Sequence, residues 1–81
     1  MSGKLKRQVE RRHVPYSKFK AYMDENNIRQ EELAMLLGKT TSSVNQNLNG
    51  TGGDFSMREV RKICLAYNIS SDMYFVSQKV S

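Results

Sequence analysis

The hydrophobic and polar positions of this chain follow the period of an α-helix from residue 16 onward. The first apolar stripe recurs at spacings of three and four residues: Tyr16, Phe19, Tyr22 and Met23. This spacing places side chains on one face of a helix. Pro15 is favoured in the first turn of a helix, and asparagines such as Asn26 and Asn27 tolerate the turn that ends one. We therefore predict a first helix over about residues 16–26.

Two further helical patterns follow, separated by a single glycine. Their apolar faces are Leu33, Ala34 and Leu37 in the second, and Val44 and Leu48 in the third. We predict these helices over about residues 30–37 and 41–48. Gly38 is placed to end the former, because glycine adopts a left-handed backbone at little cost. Thr40 can cap the latter, since its hydroxyl oxygen can accept from a free N–H of the first turn.

The remainder of the pattern predicts a loop, a capped helix and a short last helix. Residues 49–54 contain three glycines and form the loop. Ser56 and Glu59 have the spacing of a capping box, which predicts a fourth helix over about residues 57–68. Its apolar stripe is Val60, Ile63, Cys64 and Tyr67. A last short helix, residues 72–76, can dock on the bundle through its aromatic side chains.

These elements predict an all-α fold, a compact bundle of four to five short helices without a convincing strand. Eighty-one residues suit one domain, which we place at residues 15–76. A basic, flexible arm, residues 1–14, precedes it, and residues 77–81 form a tail that frays. Neither a membrane-spanning run nor a signal peptide is visible, so we expect a cytoplasmic protein without a membrane partner.

The positive charge is concentrated near the N-terminus. The net charge is +5, and residues 1–20 hold seven Lys and Arg against Glu10, a net of +6, which leaves 5 − 6 = −1 for residues 21–81. The cations of the arm are Lys4, Lys6, Arg7, Arg11 and Arg12. Such a segment is attracted to polyanions, with nucleic acid first and an anionic membrane surface second. The arm has too few apolar residues for a membrane helix.

Candidate chemistry narrows the functional classes. The single cysteine, Cys64, excludes an internal disulfide, and we expect it to be a small buried side chain. His13 stands alone in the arm, where we expect it to be exposed to solvent. No constellation of histidine, cysteine and carboxylate side chains and no phosphate-binding loop is visible. We therefore expect no enzyme activity, no metal site and no cofactor.

The outer face of the third helix carries short, neutral side chains that can donate or accept hydrogen bonds, as contact with DNA base edges requires. They are Thr41, Ser42, Asn45 and Gln46. The surrounding stretch resembles the helix-turn-helix of the Cro and phage-repressor type, which includes the xenobiotic-response-element-like regulators. The residues that carry this resemblance are Gln30, Ala34, Gly38, Val44, Asn49 and Gly50. It covers about residues 16–76 and implies a lambda-repressor-like DNA-binding domain.

The resemblance also implies a role for individual residues. In such proteins the second helix of the motif lies in the major groove and its early residues contact base edges. By position, the base contacts would be Thr41, Ser42 and Gln46, with Asn45 as a further candidate. The DNA backbone contacts would be Gln30, Lys39, Thr40 and Asn49, and Gln30 would also brace the recognition helix. Asn47 departs from the family pattern, because an apolar residue is common at its position.

The function that follows is a sequence-specific regulator of transcription that binds double-stranded DNA. The resemblance implies a phage or prophage repressor that occupies an operator, without a small-molecule cofactor. A homodimer on palindromic half-sites would suit such a short module. Tyr74 and Phe75 are candidates for its dimer surface, and the alternative is that they only complete the core. Two alternatives stay open: an antirepressor or other protein-binding regulator with the same bundle, and a protein that coats nucleic acid without sequence preference.

Overall fold

The computed structural model describes residues 13–76, which form a bundle of five helical segments. Their order is α1 (Ser17–Glu25), α2 (Gln30–Leu37), α3 (Thr41–Asn49), α4 (Met57–Tyr67) and a short π-helix (Asp72–Val76). Residues 13–76 contain no strand, so the predicted all-α class is confirmed. Residues 1–12 and 77–81 lie outside the described part, and so do the predicted frayed tail and the predicted flexible arm except for His13 and Val14.

The core lies where the apolar stripes of the four longer helices meet. The largest fully buried side chains are Phe19, Leu33, Val44, Leu48 and Ile63. Each of α1 to α4 supplies at least one of them, and burial of one such side chain contributes about 1.5–3 kcal/mol. In residues 13–76, no helix is both long enough and apolar enough to cross a bilayer.

The helix ends form where local sequence predicts them. Gly38 is left-handed, with a φ of 70°, and ends α2. The Thr40 hydroxyl accepts from the backbone N–H of Ser43 at 3.0 Å and caps α3. Ser56 and Glu59 form the predicted capping box at the start of α4. These local features define the turn between α2 and α3 and the start of α4.

The π-helix packs on α1 through Tyr74 and Phe75, the two candidates for a dimer surface. The ring centroid of Phe75 lies 4.9 Å from that of Phe19 and 5.3 Å from that of Tyr16. The ring of Tyr74 lies 5.3 Å from that of Tyr22. Both side chains are half-buried and pack against the aromatic face of α1, which the ring of Tyr67 on α4 also contacts.

His13 also departs from expectation, because it packs against the domain instead of facing solvent. Its side chain is only 17% exposed. The backbone N–H of His13 donates to the carbonyl oxygen of Gly50 at 3.3 Å, and Nε2 of His13 lies 3.2 Å from the carbonyl oxygen of Gly53.

The Cys64 side chain is half-buried, and burial raises the pKa of its thiol.

Candidate nucleic-acid interface

The outer face of α3 is polar and carries no charge. Thr41, Ser42, Asn45 and Gln46 are all exposed, opposite the buried side of the same helix. The sequence of α3, TSSVNQNLN, contains no acidic or basic residue. Its hydroxyl and amide groups can both donate and accept hydrogen bonds. The structure thus brings together the side chains predicted to contact bases.

Gln30 joins this face from the first position of α2. The Asn45 amide donates to Oε1 of Gln30 at 3.3 Å, which links the start of α2 to the middle of α3. The side-chain oxygen of Asn45 can still accept a hydrogen bond, and the side-chain amide N–H groups of Gln30 can still donate. This bond has the geometry that bracing of α3 by Gln30 requires.

Asn49 and a lysine that the sequence did not single out lie at the C-terminal end of α3. The Lys20 ammonium donates to Oδ1 of Asn49, and the Asn49 amide donates to the carbonyl oxygen of Asn45 at 2.9 Å. A cation at this position also interacts favourably with the helix dipole. Because Lys20 and Asn49 are 29 residues apart, no local spacing predicts this contact.

Lys39 is turned towards the domain, although it was predicted to contact the DNA backbone. Its ammonium donates to Oδ1 of Asn47 at 2.6 Å and forms an ion pair with Glu59 at 2.9 Å. It also lies 5.5 Å from the centre of the Phe55 ring. The positive charge is therefore compensated inside the protein. Thr40 remains exposed beside it at the start of α3.

Asn47 is the buried polar residue that holds this arrangement. Only 4% of it is exposed. Besides accepting from Lys39, it donates from Nδ2 to the carbonyl oxygen of Gly53 at 2.7 Å. Asn47 thus connects α3 to the turn before it and to the loop after it. This explains why a polar side chain is stable at a position where the resemblance predicted an apolar one.

The geometry is that of two helices joined by a tight turn, of which the second presents an open polar face. A family model with the description Helix-turn-helix matches residues 19–73, more than half of the chain. The chain belongs to the helix-turn-helix family. Comparisons with curated proteins and with solved structures find no match.

The family assigns the general role of this helix-turn-helix protein. It is a DNA-binding regulator of transcription of the Cro and repressor type, as its resemblance implied. The match spans α2 and α3 as well as the helices that pack against them. Within residues 13–76, no three His, Cys, Asp or Glu side chains are grouped so that they could hold a metal ion.

Three ionisable groups show how the helix-turn-helix is tied to its surroundings. Burial, together with the Asp54 carboxylate that accepts from its hydroxyl, raises the pKa of Tyr16. Burial and the neighbouring Glu32 raise the pKa of Tyr67 to about 12. The Tyr67 hydroxyl donates to Glu32 at 2.9 Å, which joins α4 to α2. Partial burial would raise the pKa of Glu59, but the Ser56 N–H and Lys39 outweigh it and lower the pKa.

The lowered pKa of Glu59 predicts that the Lys39–Glu59 pair stabilises the fold at neutral pH and not in acid. A lowered carboxyl pKa adds stability above the unfolded value of 4.5, and this stability is lost as the pH falls through the folded value. Glu59→Gln keeps a capping-box side chain but removes the charge. We expect it to lower the free energy of unfolding by about 1 kcal/mol at pH 7.

Urea unfolding of both proteins at pH 7 and at pH 3 measures this difference. The two unfolding free energies should converge at pH 3. Glu25→Gln, at an exposed position of α1, is the control and should change neither value appreciably. A difference between wild type and Glu59→Gln that is as large at pH 3 as at pH 7 would show that charge is not the cause.

Proposed function

We propose that this protein is a sequence-specific repressor, of phage or prophage type, that occupies an operator by placing α3 in the major groove. The observation that carries the proposal is the exposed, uncharged and hydrogen-bonding face of α3. An α-helix fits the major groove, where each base pair presents a distinct set of donors and acceptors. Occupation of the operator, rather than catalysis, is then the mode of action.

The side chains of α3 favour particular bases. Asparagine and glutamine amides can pair with N6 and N7 of adenine, and the threonine methyl group can contact the thymine methyl. Asn45, Gln46 and Thr41 supply these groups. Guanine is most often bound by arginine or lysine, and α3 has neither. We therefore expect A·T pairs at the central positions of the operator half-site.

Phosphate contacts would come from residues at both ends of the motif. Gln30, Thr40 and Asn49 keep the role proposed for them, since they flank the exposed face of α3. Lys20 joins them through its bond to Asn49, and Arg29 is exposed immediately before α2. Lys39 is left out, because its ammonium is already bound by two protein groups.

Two copies of the domain on palindromic half-sites would give the affinity that one short helix lacks. Half-sites for such dimers lie about one helical turn apart.

The alternative partner is a protein, and one observation favours it: residues 13–76 contain seven Lys and Arg against seven Asp and Glu, a net charge of zero. An antirepressor or other protein-binding regulator would not need a positive surface.

A titration separates these functions. The full-length protein is mixed with duplex DNA from its own promoter region and with random duplex of equal length, at two salt concentrations. A repressor should bind the promoter duplex about 10³-fold or more tightly than random duplex. Equal affinity for both duplexes would indicate a coating protein, and no binding to either would favour the protein-binding alternative.

Gln46→Ala tests the base contacts. If the Gln46 amide contacts a base, the variant should lose about 1–3 kcal/mol of discrimination at one base pair, while non-specific binding is nearly unchanged. Asn45→Ala is the matched comparison and should act at a different base pair. Affinities for operators substituted at each position measure both effects. Equal losses on specific and random DNA would rule out this role for Gln46.

A further inference from the structure

The Gln46 side chain lies against the backbone of a glycine in the loop that follows α3. A Cβ built on Gly52 would lie 2.6 Å from Oε1 of Gln46, 2.8 Å from its Cβ and 3.4 Å from its Cδ. Real Cβ atoms do not approach other atoms as closely as the first two distances. Gly52 is buried and its φ is not left-handed. The need for glycine here is therefore a need for space, not for an unusual backbone conformation.

The loop cannot move away easily to make this space, because α3 holds it on either side of Gly52. The backbone N–H of Thr51 donates to the carbonyl oxygen of Gln46 at 3.1 Å. On the other side, the Asn47 amide donates to the carbonyl oxygen of Gly53 at 2.7 Å. Asn47 is itself fixed, because it is buried and accepts from Lys39. Residues 51–53 are thus held at a defined distance from α3.

We infer that Gly52 is a specificity-determining residue, because the space it leaves sets the position of the Gln46 amide on the face of α3. The inference rests on the proposed function, in which Gln46 contacts a base. An amide pairs with a base edge only when both its donor and its acceptor are in place. A side chain at residue 52 displaces that amide, and because Cβ of Gln46 cannot rotate away, the backbone at residue 52 must also shift. The three atoms nearest to such a side chain all belong to Gln46, and none belongs to Thr41, Ser42 or Asn45. Asn47 is the positioning residue, because its bond to Gly53 holds residues 51–53 against α3.

Gly52→Ala and Gly53→Ala form a matched pair for the test. Neither glycine has a left-handed φ, and both substitutions restrict the unfolded chain in the same way. A Cβ on Gly53 meets no atom within 4 Å, so Gly53→Ala controls for everything except the contact with Gln46. Both variants are made in the full-length chain.

The first measurement needs no DNA. In ¹⁵N-labelled protein, the side-chain amide signals of Gln46 should shift in Gly52→Ala and stay unchanged in Gly53→Ala. Asn47→Ala provides a second route to the same result, because it releases the loop without adding atoms at residue 52. It should also shift the Gln46 signals, so the inference stays testable if Gly52→Ala does not fold.

The second measurement is the affinity for operators substituted at each base pair. Gly52→Ala should reduce discrimination about fivefold or more at the base pair that depends on Gln46, and at no other. A general loss of fold or affinity would instead weaken all positions alike. Gly53→Ala should keep the discrimination of the wild type.

The outcomes separate the inference from the proposed function. Unchanged Gln46 signals in both Gly52→Ala and Asn47→Ala overturn the inference. So does unchanged discrimination in Gly52→Ala when the signals have shifted. In that second case Gln46→Ala distinguishes the cause. If it abolishes discrimination, only the role of Gly52 fails, and if it has no effect, the proposed base contact of Gln46 fails as well.

Discussion

Deleting residues 1–12 is expected to remove most of the salt dependence of DNA binding and to leave the helical domain folded. The domain itself offers little attraction for phosphates, because residues 13–76 have a net charge of zero and α3 has no charged residue. Lys39, which lies beside α3, is paired with Glu59. The deleted segment holds most of the net positive charge, in Lys4, Lys6, Arg7, Arg11 and Arg12. His13 is kept because it packs against the domain.

The measurement is the slope of log K against log salt for both proteins on the same operator. The slope should become shallower by about 0.9 for every phosphate that the arm neutralises, so five such phosphates would change it by about 4 to 5. A full-length chain with the five cations replaced by glutamine is the matched control and should behave like the deletion. An unchanged slope would show that the domain alone supplies the phosphate contacts.

Gly50→Ala is expected to be strongly destabilising, and more so than Gly38→Ala. Gly50 has a φ of 78°, and a Cβ there would overlap the backbone carbonyl oxygen of His13. Gly38 has a similar φ of 70°, but a Cβ there meets nothing within 4 Å. The left-handed backbone costs both alanine variants about 1–2 kcal/mol. At Gly50, His13 must also move and give up its hydrogen bond, so we expect about 2–4 kcal/mol in total.

Urea unfolding of Gly50→Ala and Gly38→Ala, each compared with wild type, gives the two losses of stability. Repeating both measurements after deletion of residues 1–14 should bring them close to each other, because the deletion removes the carbonyl group that a Cβ at residue 50 would strike. Equal losses in the full-length chain would contradict the close approach of His13 to Gly50.

The features of the fold that could be predicted are those decided by neighbours in the sequence. Gly38 ends a helix because of its own backbone freedom. Ser56 and Glu59, only three residues apart, start another helix through their mutual hydrogen bonds. The packing of His13 on Gly50 joins residues 37 positions apart and uses backbone atoms. No hydrophobic pattern records such a contact, so His13 was wrongly expected to be exposed.

In the candidate site, too, the features set by local spacing could be predicted and those set by tertiary packing could not. The polar face of α3 follows from helical spacing, since Val44 and Leu48 must point into the core and the remaining side chains must not. The orientation of Lys39 does not follow from spacing. It depends on the buried amide of Asn47 and the carboxylate of Glu59, which come together only when α2, α3 and α4 have packed. The position of Lys39 in the motif therefore predicted a phosphate contact, whereas in the structure Lys39 forms an ion pair with Glu59.

The π-helix links the two ends of the domain and has a consequence for synthesis. Phe75 covers the rings of Tyr16 and Phe19 on α1. A chain growing on the ribosome leaves this aromatic face uncovered until residue 75 has been added and has left the exit tunnel. Domains generally fold as units during translation. Among the helices of residues 13–76, α1 is thus made first and enclosed last, and chains that end before residue 75 expose an aromatic surface to aggregation.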